Sequence, residues 1–112
     1  MIPKRISRVG ETVRAEISDM LLRDIKDPRV GLVTITDVVM SPDLKQARVF
    51  ISRLGTREEI DEGLEGLTRA AGYIRRELGR RLRLKFAPQL RFFHDDSFET
   101  GSRIDALLKE IE

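Results

Sequence analysis

The chain contains no cysteine, no tryptophan and a single histidine. The absence of thiols removes cysteine nucleophiles, disulfides and cysteine-based zinc sites. One histidine, His94, leaves no choice of base for a Ser/His/Asp arrangement, so most hydrolytic chemistries lose their machinery. Aromatic residues are also scarce, at 5%, with five phenylalanines and one tyrosine. No run of about twenty apolar residues exists to span a bilayer. The N-terminal bases Lys4, Arg5 and Arg8 are not followed by the apolar stretch of a signal segment, so a cytoplasmic location is expected. No Gly-rich phosphate loop of the nucleotide-hydrolase or dinucleotide type is found, which leaves nucleotide chemistry without a seat.

What the chain has in abundance is charge, 36% of its 112 residues against a usual quarter. The net value is only +2, but its distribution is uneven. Between positions 69 and 91 stand eight basic residues, Arg69, Arg75, Arg76, Arg80, Arg81, Arg83, Lys85 and Arg91, and one acid, Glu77. Just upstream lies an acidic block of Glu58, Glu59, Asp61, Glu62 and Glu65. Such asymmetry orients an encounter with a polyanion. Arginine outnumbers lysine in the basic block, and the planar guanidinium fork suits phosphate because it donates two parallel hydrogen bonds.

Apolar residues at Val9, Val13, Ile17, Leu21 and Ile25 predict an amphipathic helix over 7–26, ended by Pro28, which disfavours helical geometry at Asp27. Residues 31–40, β-branched and bounded by Gly31 and Ser41-Pro42-Asp43, predict a strand whose alternation breaks near Asp37 in a bulge. A second strand over 46–53 alternates Ala47, Val49 and Ile51 with Arg48, Phe50 and Ser52. Thr56-Arg57-Glu58-Glu59 is a capping box that opens a helix running to about Leu84. Its glycine at Ala70-Ala71-Gly72 predicts a kink there, or a break between two helices. Residues 89–94 predict a third strand, and Ser102-Arg103-Ile104-Asp105 caps a short C-terminal helix carrying Leu107, Leu108 and Ile111. The expected order is α-β-β-α-α-β-α, an α+β domain over 1–112 with a three-stranded sheet and helices on one face, the other face open or partly covered.

At 100° per residue, Arg69, Arg76, Arg80 and Arg83 fall within roughly 60° of each other, opposite Leu64, Leu67, Ile74, Leu78 and Leu82. That outward face is the candidate for phosphate contact, against the plainer reading of a solvated helix surface. Gly72 gives room for close approach of a phosphate backbone, and Tyr73 is a candidate for stacking on a base or, more simply, for packing. His94-Asp95-Asp96 is the one cluster with metal-ligand chemistry, but consecutive strand residues point to opposite faces, so a strand end capping its turn is the better reading. Glu58 and Glu59 are accounted for by capping and the helix dipole. No catalytic residue, metal or cofactor is expected.

The stretches Ala70-Ala71-Gly72-Tyr73-Ile74-Arg75-Arg76-Glu77-Leu78 and Leu90-Arg91-Phe92-Phe93-His94-Asp95-Asp96-Ser97 resemble the bacterial ribosome-binding factor A family. So do Asp27-Pro28-Arg29 and Leu32-Val33-Thr34-Ile35-Thr36-Asp37-Val38, in the same order along nearly the whole chain. The resemblance implies a KH-like domain of the second topological type, with an Ala-x-Gly kink in place of the Gly-x-x-Gly loop. It also implies a non-enzymatic factor that binds the free small (30S) ribosomal subunit and assists late maturation of its 16S ribosomal RNA, including in the cold. The expected RNA contacts are Lys4, Arg5, Arg8, Arg69, Arg75, Arg76, Arg80, Arg81, Arg83 and Lys85. The partners are 16S RNA and neighbouring ribosomal proteins, with no membrane, the factor acting as a monomer. The rival reading is a protein-binding adaptor that presents Phe50 and Phe93 on an open sheet face.

Overall fold

The computed structural model describes residues 4–96. Helix α1 spans Lys4–Arg23, strands β1 and β2 span Thr34–Met40 and Gln46–Ser52, helix α2 spans Arg57–Leu82 and strand β3 spans Gln89–His94. The sheet order is β1-β2-β3, with β1 and β2 antiparallel and β2 and β3 parallel. Helix α2 is the crossover that a parallel pair requires. The predicted C-terminal helix around Ile104 lies outside the described residues.

The buried stripe of α1 is Gly10, Val13, Ile17 and Met20, with Val9, Leu21 and Ile25 only partly covered. A strict four-residue spacing drifts about 40° per step, so at both ends the expected residues rotate off the core and their neighbours Gly10 and Met20 take over. Gly10 is required by closeness: a Cβ there would stand 2.7 Å from the carbonyl oxygen of Val38. The helix stops earlier than expected, at Arg23, as the amides of Asp24 and Ile25 both turn to the Met20 carbonyl. Asp27 is extended, as the following proline demands, and its carboxylate accepts the Arg29 amide to open a short 3-10 turn over Pro28–Val30. The chain keeps turning past it, with the Val33 amide donating to the Val30 carbonyl at 3.2 Å, so β1 begins at Thr34. The bulge is real and falls at Thr36, between the Ile35 and Asp37 pairings.

The capping box forms as read: the Glu59 amide donates to the Thr56 hydroxyl at 3.1 Å, and the Thr56 amide to the Glu59 carboxylate at 2.9 Å. Of the two readings of Ala70-Ala71-Gly72, a kink or a break between two helices, the break does not occur. Helix α2 runs unbroken for 26 residues. The cost of Gly72, about 1 kcal/mol relative to alanine, is outweighed by Leu67, Ile74 and Leu78, all fully buried on the turns around it. The order over the described residues is therefore α-β-β-α-β. Both helices bury their apolar stripes on the face carrying Ala47, Val49 and Ile51.

Phe50 lies on the opposite face but is not exposed there. It is 2% accessible, with its ring centroid 5.6 Å from that of Phe93. The adaptor reading, which needs Phe50 facing outward, loses its main anchor. Asp95 closes the sheet beyond β3: its amide donates to the Ile51 carbonyl, and its carboxylate accepts the Thr36 hydroxyl at 2.8 Å.

Candidate nucleic-acid interface

Helix α2 carries most of its acidic residues in the first turns and most of its basic ones from Arg69 onward, an arrangement that complements the helix dipole and stabilises the helix itself. The basic half then divides by where each guanidinium goes. Arg69 and Arg80 point outward, with side chains 69% and 70% exposed, each in a surface pair with a carboxylate one turn back, Glu65 at 3.1 Å and Glu77 at 2.8 Å. The Arg69–Glu65 pair is exposed on both sides, contributes little and is readily exchanged for phosphate, whereas the Glu77 carboxylate behind Arg80 is itself largely covered. Arg76 is exposed between them, and Arg83 and Lys85 are exposed beyond the end of the helix.

Arg75 and Arg81 behave differently. Arg75 donates to the carbonyls of Pro88 at 3.0 Å and Ala87 at 3.3 Å, pinning the 83–88 loop against α2. Arg81 is 20% exposed and reaches Glu16 at 2.9 Å, Asp19 and Asp24 at 3.1 Å and Glu77 at 3.4 Å. This network ties α1 to α2. It raises the Arg81 pKa further above its already high value, chiefly through the hydrogen bond that Arg81 donates to Glu16. The Glu77 carboxyl is held down at about 2, first by its hydrogen bond from Arg80 and then by the charges of Arg80 and Arg81. Two of the ten expected RNA contacts are thus engaged inside the fold. Tyr73 is engaged as well, its hydroxyl donating to Asp24 at 2.9 Å, which raises its pKa.

Lys4, Arg5 and Arg8 are exposed on the opening turns of α1. The close approach of Gly10 to Val38 sets that end of α1 beside the end of β1. Met40 there pairs with Ala47, and the adjoining Gln46 pairs with Gln89, where the 83–88 loop enters β3. The basic start of α1 and the basic end of α2 therefore lie toward the same end of the sheet.

Two features escaped the sequence reading. The first is a cleft of about 460 Å³ between α2 and the edge strand β3, lined by Thr68 and Ala71 on the helix, Gln46, and residues 89–93. Its signal in the sequence is the run of small residues at 70–72, which leaves room beside β3. Gly72 borders it in sequence, and a Cβ there would meet nothing within 4 Å, so packing within the chain does not demand glycine. The second is Phe86, an exposed ring with two lysine ammonium groups over it. Its signal is an aromatic residue that no helix or strand periodicity absorbs.

A three-stranded mixed sheet with two helices on one face, a basic helix and a cleft beside the edge strand define a KH-like α+β domain. Comparison with known proteins narrows the class. The chain belongs to the ribosome-binding factor A family, whose sequence model matches residues 5–108. Ribosome-binding factor A from Brevibacillus brevis is 50% identical over 107 residues, covering 96% of this chain and 88% of that protein. Among solved structures, a Thermotoga maritima protein that its own description places with ribosome binding factor A is 35% identical, with a TM-score of 0.75 over 88% of this chain and 95% of that one. A Thermus thermophilus homology model fitted into a cryo-electron-microscopy map of a 30S–RbfA complex shares the fold, with a TM-score of 0.66 at 23% identity, covering 81% of this chain and 96% of that one.

Proposed function

We propose that this protein associates with the free small ribosomal subunit and assists late maturation of its 16S ribosomal RNA, including at low temperature. It does so as a non-catalytic RNA-binding domain spanning 1–112. The observation that carries the reading is the outward row Arg69, Arg76 and Arg80 on one continuous helix, beside the cleft lined by Thr68 and Ala71. Family membership supplies the ribosomal context, and the fitted Thermus thermophilus relative supplies a 30S complex.

Guanidinium groups spaced along a helix track phosphates, and Lys4, Arg5 and Arg8 add a second point of attachment at one end. Such contacts recognise shape and charge rather than base sequence. A protein that binds one conformation of immature RNA more tightly shifts the population toward it, and it leaves when the mature form no longer fits. No bond is made or broken in that cycle.

The test is co-sedimentation of the purified protein with small subunits, large subunits and assembled ribosomes across a salt series. The expected result is selective binding to free small subunits that weakens linearly with the logarithm of salt concentration. Equal binding to all particles would reduce the arginine row to a generic basic patch, and binding insensitive to salt would return the case to a protein-docking mode.

A further inference from the structure

Phe86 sits in the 83–88 loop with 60% of its surface exposed. Phe50, Phe92 and Phe93 are packed within the fold, and Tyr73 is tied to Asp24, so Phe86 is the outward phenylalanine among the described residues. The loop that presents it is firmly held. Arg75 binds the carbonyls of Ala87 and Pro88, and the Leu84 amide donates to the Gly79 carbonyl at 3.2 Å.

Across from it, the β1–β2 turn is equally fixed. The Asp43 carboxylate accepts the Ser41 hydroxyl at 2.7 Å and the Lys45 amide at 3.0 Å, and the Lys45 carbonyl accepts the Gln89 amide at 2.8 Å. Two separate segments thereby bring ammonium groups to one ring: Lys45 Nζ lies 5.9 Å and Lys85 Nζ 5.6 Å from its centroid. Among the described residues neither ammonium stands in a close ion pair, and the Asp43 carboxylate, which feels the Lys45 charge, accepts from the Ser41 hydroxyl and the Lys45 amide instead.

We infer that Phe86 is a stacking platform for one unpaired base of a single-stranded RNA segment, with Lys45 and Lys85 holding the phosphates on either side of it. An exposed cation–π pair is worth only about 0.5–1 kcal/mol, so the arrangement is weakly justified by folding alone. A base offers the ring a flat partner, and each lysine, on its flexible stem, can swing from the ring to a phosphate. An apolar protein groove closing over the same ring would strip water from two ammonium groups without compensation. The charge therefore selects the nucleic acid. This inference rests on the RNA-binding reading above and adds to it the kind of RNA, unpaired rather than duplex, that this end of the molecule takes.

Because the chain has no tryptophan, Phe86→Trp places a unique fluorophore at the site. Titration with an oligoadenylate of about eight nucleotides should quench the introduced indole, while an abasic strand of equal length and charge should leave it bright. Phe86→Ala and Phe86→Leu should both bind the oligoadenylate roughly 10-fold more weakly than the wild-type chain. Equal quenching by the abasic strand, no quenching at all, or undiminished affinity in Phe86→Leu would overturn the inference. The broader reading fails separately, and visibly, if the wild-type chain does not sediment with small subunits at any salt concentration.

Discussion

Arg76 and Arg81 stand five residues apart on the same helix and have opposite fates. Arg76 extends into solvent from a face with no acid of α1 against it, whereas Arg81 is surrounded by four carboxylates, three of them from the α1 side. The same division separates Arg80 from Arg75. Residue type is therefore a poor guide to role on this helix. What decides is whether the guanidinium meets a neighbouring element, because hydrogen bonds that join two elements hold the fold and must break before the group can contact phosphate, whereas Arg80 is bonded only within its own helix.

The comparison breaks most sharply when both kinds of arginine are altered in parallel. Arg76→Glu with Arg80→Glu should lower small-subunit affinity by roughly 100-fold at moderate salt and flatten the salt dependence, with the melting temperature lowered only by the loss of the Arg80–Glu77 pair. Arg81→Met should do the reverse: it leaves Glu16, Asp19, Asp24 and Glu77 facing one another and should lower the melting temperature markedly, while the salt slope of binding stays as in the wild-type chain. If Arg81→Met melts normally yet loses binding, the division into structural and contact arginines is wrong.

A smaller effect is expected in acid. The Glu77 carboxyl is depressed from 4.5 to about 2 by Arg80 and Arg81, and the Asp27 carboxyl from 3.8 to about 2 by the hydrogen bonds it accepts from Arg29. A depressed carboxylate contributes stability above its unfolded pKa and loses it as pH falls through the folded value. Stability should thus be level down to pH about 4.5 and decline toward about 2. Glu77→Gln should remove part of that decline in melts recorded across the window. An unchanged acid profile in that variant would mean that the Arg80 and Arg81 contacts are lost as readily in the folded as in the unfolded chain.

The elements were legible because each has a local cause: the β-branched run of β1, the alternation of β2, the Thr56 to Glu59 box. The bulge was legible within one residue because Asp37 breaks an otherwise regular pattern. The continuity of α2 was not, since Gly72 argues locally for a break and is overruled by Leu67, Ile74 and Leu78, whose burial depends on sheet strands far away in sequence. The same limit governs the site. Periodicity placed Arg69, Arg76 and Arg80 on one face, but the inward turn of Arg75 depends on the carbonyls of Ala87 and Pro88, and that of Arg81 on three acids of another segment. Long-range partners of this kind leave no mark in local spacing. The C-terminal helix predicted beyond Ser102 lies outside the described residues and does not enter this comparison.

The subtlest division between folding and contact lies in Arg83 itself. It caps α2 in the left-handed conformation, at φ 51° and ψ 42°, where its amide reaches the Gly79 carbonyl. A side chain in that conformation costs about 1 kcal/mol that glycine does not incur, and glycine is the usual residue at such helix ends. Arg83→Gly should therefore stabilise the fold by roughly 0.5–1 kcal/mol, less the extra backbone entropy that glycine loses on folding. The same substitution removes an exposed cation at the end of the outward row and should weaken small-subunit binding several-fold, with the salt slope falling by about one phosphate contact. A variant that is more stable and binds less well would show that this position carries backbone strain because its side chain is used elsewhere. A variant that gains stability and keeps full affinity would place the boundary of the RNA contact before Arg83.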